Sequence, residues 1–241
     1  MVPARIARSS IVFLLLMCVT RAPAHAGADR LYLSQDARRV LTAPAHWDSR
    51  DWRNLSIGVI GVGAVGIADP WIRDAAQRSR TQTTDDIARA VQPFGNYYAF
   101  GSLAVFYIAG AAFHHREART TAIDGLDASI LAAGVISPAL KLVAGRSRPY
   151  QSENAYDFHP FSGNASFPSG HTTEAFAVAS VVASHYPTAW VRVAAYGIAG
   201  LVGYSRVNDN DHFASDVVAG AIIGTVVGRT VVAINGRERS K

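Results

Sequence analysis

Apolar runs separated by short polar stretches set the architecture of this chain. Six such runs, at 55–68, 97–113, 123–143, 172–186, 189–203 and 213–234, are 14 to 22 residues long. None alternates with period two for long enough to make a strand, so each is predicted as a helix. Punctuation supports the boundaries. Asp69–Pro70 and Thr83–Thr84–Asp85–Asp86 are turn and cap signals, with a short surface helix expected over 86–91. Asp124 and Asp127 fit a helix N-terminus, where the dipole favours acids. Pro149 and Pro187 each stop the helix before them. The expectation is an all-α fold: a single bundle of about six helices after an N-terminal signal peptide.

The signal reading rests on residues 1–26. Arg5 and Arg8 form a positive start, Ile11 to Val19 an apolar middle, and Ala24–His25–Ala26 a small-residue cleavage site; an uncleaved anchor is the alternative. The remaining divisions are an N-terminal polar segment with the first helix (27–96), a helical core (97–234) and a basic tail (235–241). Trp47 and Trp52 precede the first apolar run and fit an interfacial anchor or the packing of an amphipathic helix.

Composition narrows the function classes. Apolar residues are 49% of the 241 and charged residues only 17%, below the roughly 25% charged of an ordinary soluble domain. Mean hydropathy is +0.12, too low to establish a membrane protein unaided. Net charge is +5, and without residues 1–26 the balance is 20 basic to 18 acidic residues. No basic stripe interleaved with aromatics is present, which argues against nucleic acid. The single cysteine, Cys18, excludes an intramolecular disulfide and leaves no zinc or redox motif. Gly61, Gly63 and Gly66 have dinucleotide-loop spacing, but Pro70 follows and no strand–helix alternation does, so a small-residue helix packed closely on its neighbours is expected. His114–His115 lacks a third ligand and reads as a solvated basic loop. No metal and no cofactor are expected.

Candidate chemistry is concentrated in residues 141–216. Lys141, Arg146, Arg148 and Arg206 are cations embedded in apolar sequence, and guanidinium forks suit phosphate oxygens. Pro168–Ser169–Gly170–His171 opens a helix, where free N–H groups and the dipole also favour an anion. His212 and Asp216 are four apart, on one helical face. A carboxylate on one ring nitrogen leaves the other free to attack, and His171, on a separate helix, can protonate a leaving group. Together these describe phosphoryl transfer through a phosphohistidine, although the carboxylate alone does not exclude exchanged histidine roles. Singly, each cluster has a structural explanation: interfacial charges, a helix cap, a histidine–carboxylate pair.

Lys141, Arg148 and Pro149 (K-x6-R-P), Pro168–Ser169–Gly170–His171 (P-S-G-H), and Ser205, Arg206, His212 and Asp216 (S-R-x5-H-x3-D) resemble the three signature motifs of the type 2 phosphatidic acid phosphatase and haloperoxidase superfamily. The resemblance covers about residues 97–234. It implies an all-α domain, a phosphate site made by Lys141, Arg148, Ser169, Gly170 and Arg206, His212 as nucleophile, Asp216 orienting it, and His171 as general acid. Arg146 occupies a variable position and gains no role from it. The expected activity is hydrolysis of phosphomonoesters or diphosphates of lipids. A soluble periplasmic acid phosphatase is the alternative; a vanadate-dependent haloperoxidase or a non-catalytic envelope scaffold lies further off.

Run lengths divide on the membrane question. Those at 55–68, 172–186 and 189–203 are short for a span, and Arg192 and Arg229 interrupt helices; 97–113 and 213–234 are long enough. If 55–68 does not cross, a signal ending at residue 26 puts the motifs on the periplasmic side and the basic 114–119 loop inside. The expected partners are thus a phosphorylated lipid or small phosphate ester and a membrane. Phe158, Phe161 and Phe167 either meet a lipid chain or pin the loop to the bundle.

Overall fold

The computed structural model describes residues 32–240, and the expected signal segment lies outside them. Eight helices follow one another: α1 (Leu33–Thr42), α2 (Ser49–Arg78), α3 (Gln82–Val91), α4 (Tyr97–Ala112), α5 (Arg116–Ala144), α6 (Gly170–His185), α7 (Ala189–Asn208) and α8 (Ala214–Arg239). No strand is found among the described residues. The all-α expectation agrees; eight helices rather than about six arise because the polar stretch at 33–42 is helical and the short surface helix expected over 86–91 is present, starting at Gln82.

α6 is the central helix. Ala177 and Val181 on one side pack with Ala128, Leu131 and Ala132 of α5 and Val227 and Val231 of α8. Ala175 and Ala179 on the other side pack with Ala199 and Val202 of α7. This core is built of small side chains, so helices approach closely. A stripe of Gly220, Gly224 and Gly228 brings α8 onto the α6 backbone: a Cβ at Gly220 would lie 2.6 Å from the Ser169 carbonyl oxygen, and one at Gly228 2.7 Å from that of Ala177. Small-residue spacing of four allows this approach. It fixes the N-terminus of α6 against that of α8, where two of the three motifs sit.

Several boundaries differ from the sequence expectation. α2 runs straight through Asp69–Pro70. Proline forfeits one intrahelical hydrogen bond, but Asp69 is fully buried and anchored to α8 and the 145–169 loop, which holds the helix in place. Gly61 and Gly63 face open space, whereas Gly58 and Gly66 approach Ile222 and Ser215 of α8; the expected close packing is confined to that side of the helix. α5 starts at Arg116, so Asp124 and Asp127 are buried within it rather than at its start. Asp124 accepts from Arg239 (2.5 and 2.9 Å), His185 Nε2 (2.8 Å) and Asn235 (2.9 Å). That network carries α8 as helix to Arg239, through most of the stretch read as a basic tail. Within α5, residues Ile130–Ile136 form a π turn. It precedes Pro138, whose missing N–H breaks the regular ladder.

Among the described residues three helices are long and apolar enough to cross a membrane: α2, α5 and α8. α2 is the plainest case. In its most apolar 18-residue window only 6% is buried within the protein, with Ile60, Ile67 and Trp71 exposed at 70% or more. The sequence-based parity took 55–68 as too short to cross; a helix of 30 residues removes that premise.

Candidate active site

All three polar clusters lie at one end of the bundle. Lys141 is in the last turn of α5 and Arg148 in the loop after it; Ser169, Gly170 and His171 open α6; Arg206 closes α7; His212 sits in the α7–α8 connection and Asp216 in the first turn of α8. Ser169 N–H donates to the Asp216 carbonyl (3.0 Å), joining the second and third motifs. A Cβ at Gly170 would lie 3.9 Å from Lys141 Cε, which places the first motif beside the second.

Asp216 is fully buried and densely held. One carboxylate oxygen accepts from Arg146 Nη1 at 2.6 Å; the other accepts from Ser166 Oγ at 2.6 Å and Phe213 N–H at 3.0 Å. His212 Nδ1 lies 3.6 Å from that second oxygen. This is longer than a hydrogen bond, and Nδ1 has no other partner. A small ring rotation closes the gap, and catalytic contacts of this kind often tighten when substrate binds. With Nδ1 directed at Asp216, Nε2 is the free nitrogen.

The sequence placed Arg146 among four cations suited to phosphate, with no role in the matched motif; the structure turns its guanidinium to the carboxylates of Asp69 and Asp216 instead. Arg146 is 2% exposed and ties the site together. Besides Asp216 it binds Asp69 (2.7 Å), Ser215 Oγ (2.8 Å) and the Ala155 carbonyl (2.6 and 3.0 Å), with its guanidinium between the rings of Phe158 (5.1 Å) and Phe213 (4.2 Å). Phe158 thus pins the loop, while Phe161 is exposed. Asp69 was read as part of a turn. It instead accepts from Arg146 and from Ser215 N–H (2.9 Å) and Oγ (2.5 Å). A residue of the 27–96 segment therefore enters the site. In the sequence it stands at the edge of an apolar run beside Pro70, where it reads as punctuation.

The cations differ in how far they are satisfied. Lys141 Nζ donates to the carbonyls of Ala165 (2.5 Å) and Ser166 (3.5 Å). Arg206 is 2% exposed, and its Nε and Nη1 lack hydrogen-bond partners. Its Nη2 pairs with Asp211, which also lies 3.7 Å from Arg148 Nη1. Burial is the first cause that lowers both histidines to about 4. For His171 the neighbouring charges of Arg206, His212, Arg148 and Lys141 add to it; for His212, Asp216 opposes the shift. Both are therefore neutral at pH 7 in the ligand-free site. Among the described residues no group of three or more His, Cys, Asp or Glu converges as metal ligands do.

A groove of about 350 Å³ leads away from His171. Phe100 of α4 and Ile130, Ala133 and Gly134 of the π turn line it, with Gly170, His171 and Glu174 of α6 at its floor. Glu174 is 4% exposed and its Oε1 has no partner. Gly95, before α4, touches His171 so closely that a Cβ there would lie 2.7 Å from the His171 carbonyl oxygen and 2.8 Å from its Cβ.

Residues 126–240 match the family model described as the PAP2 superfamily. A lipid A 1-phosphatase of Rhizobium etli is 37% identical over 101 residues, 40% of this chain and 43% of that protein. Its counterpart from Porphyromonas gingivalis is 46% identical over 65 residues, 15% of its length, so the match spans under half of either relative. The crystal structure of a transmembrane PAP2-type phosphatidylglycerolphosphate phosphatase from Bacillus subtilis superposes with a TM-score of 0.59 at 24% identity, over 76% of this chain and 94% of that one. That likeness concerns the fold.

Proposed function

Residues 126–240 of this chain belong to the PAP2 superfamily, and on that premise we propose that the protein is a membrane-associated phosphatase. It hydrolyses lipid phosphomonoesters or diphosphates through a phosphohistidine. The observation that carries this reading is the buried Asp69–Arg146–Asp216 network behind His212, at the same end of the bundle as a buried Arg206 whose Nε has no hydrogen-bond partner and whose Nη1 meets Asp209 only at 3.5 Å.

The positions of the side chains support each step. Arg148, Arg206 and Lys141, with the N–H groups opening α6, neutralise the phosphate oxygens. His212 Nε2 attacks phosphorus. The P–N bond forms as the P–O ester bond breaks, and His171 gives its proton to the departing alkoxide. The bound phosphate dianion raises His171 from its ligand-free value so that it carries that proton. Asp216 stabilises the cationic ring at Nδ1. Water then attacks the phosphorus and yields its proton to His171 as the P–N bond breaks, releasing inorganic phosphate.

The groove beside His171 supports a lipid substrate. Its apolar wall of Phe100, Ile130 and Ala133 faces the same side as exposed residues of α4 and α5, so an acyl or prenyl chain can lie there while its phosphate reaches the cradle. The relatives named as lipid phosphatases point the same way. Purified protein should release phosphate from phosphatidic acid or a polyprenyl diphosphate in the presence of EDTA, with inhibition by vanadate. Activity confined to a soluble chromogenic ester would contradict the lipid assignment; no release from any ester would contradict the phosphatase.

Charge supports one orientation. Outside the cradle and its network, Arg38, Arg39, Arg50, Arg53, Arg116, Arg119, Arg237 and Arg239 lie at the end remote from His212, against Arg73, Arg78, Arg80 and Arg89 at the catalytic end. The positive-inside tendency puts that end in the cytoplasm and the site on the periplasmic face. Because α2 is long enough to cross, this arrangement also puts residue 32 in the cytoplasm. Cleavage after Ala26 and a periplasmic site are then mutually exclusive. Labelling of a cysteine introduced at Ser240, with permeant and impermeant reagents, decides the side.

A further inference from the structure

A second cluster of cations lies far from the cradle. Arg192 on α7 and Arg229 on α8 line one cleft of about 380 Å³ with Ala183 and Ser184 of α6 and Tyr196 of α7. Among the described residues neither guanidinium has a hydrogen-bond or ion-pair partner. The cleft also offers hydroxyls: Tyr196 OH lies 3.1 Å from Ser180 Oγ, and Ser184 Oγ donates to the Ser180 carbonyl at 2.7 Å.

Three helices fix how far this cleft is from the catalytic end. Ser184 follows His171 by 13 positions, Arg229 follows Asp216 by 13, and Arg192 precedes Arg206 by 14. At 1.5 Å rise per residue each gives about 20 Å. That separation carries the arginines toward the opposite face of a hydrocarbon layer roughly 30 Å thick. The surfaces beside the cleft are apolar. On α7, Trp190 and Val193 are both 73% exposed; on α8, Val226 is 54% exposed, one turn from Arg229. Two unpaired cations set in such a surface extend toward headgroup level, and basic pockets between membrane helices suit anionic headgroups.

We propose that this cleft binds the phosphate group of an anionic phospholipid from the leaflet opposite the catalytic cradle. Arg192 and Arg229 hold the phosphate, Tyr196 donates its hydroxyl to it while accepting from Ser180 Oγ, and the acyl chains cover Val193 and Val226. Apolar flanks select a lipid rather than free phosphate, which has no tails to cover them. The site is independent of the catalytic reading.

The test is native mass spectrometry of the full-length protein in detergent, offered dioleoylphosphatidylglycerol, dioleoylphosphatidylcholine or inorganic phosphate. The wild type should retain phosphatidylglycerol at least fivefold over phosphatidylcholine. Arg192→Gln/Arg229→Gln should bring retention down to the phosphatidylcholine level, Arg192→Lys/Arg229→Lys should restore part of it, and Arg206→Gln in the cradle should leave it unchanged. The Gln pair should keep hydrolysis of a soluble ester within twofold of wild type, which certifies its fold. Equal retention of both lipids by the wild type, retention of phosphatidylglycerol by the Gln pair, or its loss in Arg206→Gln would each overturn the site. Arginine-dependent binding of inorganic phosphate that matches the lipid would overturn the lipid assignment.

Discussion

Replacing Asp69 tests whether a residue outside the recognised motifs governs the nucleophile. In Asp69→Ala, Arg146 loses one of its two carboxylates, and Ser215 loses an acceptor for both its N–H and its hydroxyl. Removing one partner from a buried ion pair costs about 3–5 kcal/mol. For a chain of this size 1 kcal/mol shifts Tm by roughly 2–4 °C, so Asp69→Ala should melt at least ~6 °C lower. Asp69→Asn keeps one oxygen for Arg146 and the Ser215 hydroxyl but turns its amide NH2 toward the Ser215 N–H, and should lose about 1–3 kcal/mol, the cost of a buried donor left unsatisfied. Catalysis should fall in both. With Asp69 gone, Arg146 neutralises Asp216 undivided, and Asp216 then stabilises a cationic His212 ring less. A loss of about 1.4 kcal/mol at that contact is a tenfold fall in kcat, with KM little changed because Asp69 does not face the cradle. Differential scanning fluorimetry with steady-state kinetics on a soluble ester reads both effects. Wild-type Tm and kcat in Asp69→Ala would refute the network.

Other predictions follow from single contacts. Gly95→Ala forces a methyl into His171, so it should cut kcat at least tenfold at a stability cost of about 1–3 kcal/mol, the range for overpacking; kinetics beside melting curves check it. Burial lowers both His212 and His171 to about 4 in the ligand-free protein; the first attacks as the neutral ring and the second donates as the protonated one, so kcat/KM, which reports the free enzyme, should rise as pH falls from 7 to 5 and drop only below about pH 4, and a fall that begins near the ordinary histidine value would contradict the burial of His212. Asp211 shares Arg206 and Arg148 with any bound anion, so Asp211→Asn should tighten vanadate inhibition by about tenfold, which an inhibition titration measures.

The helices were legible in the sequence because runs of 14–22 apolar residues leave little alternative. Their ends were less so, because tertiary pairing overrode local punctuation. Asp69–Pro70 reads as a turn until Arg146 is placed beside it, and Asp124 reads as a helix start until Arg239, 115 positions later, pairs with it. The same limit applied at the site. His171, His212, Asp216, Lys141, Arg148, Ser169, Gly170 and Arg206 stand in short motifs and converge at one end of the bundle. Asp69, Arg146, Ser166 and Gly95 act through contacts between distant segments, and no spacing rule connects them. The Gly61–Gly66 run shows the opposite error. Small residues suggested close packing, yet the helix turns Gly61 and Gly63 outward.

Phosphoryl transfer to His212 is tested most directly by trapping it. Purified protein mixed with a substrate bearing a radiolabelled terminal phosphate and quenched in alkali within milliseconds should carry up to one label per chain. That label should be stable to base, labile to acid and mapped to His212, and it should be missing from His212→Ala, which should also release no phosphate. Turnover by His212→Ala at the wild-type rate, or a label on another residue, would contradict the mechanism.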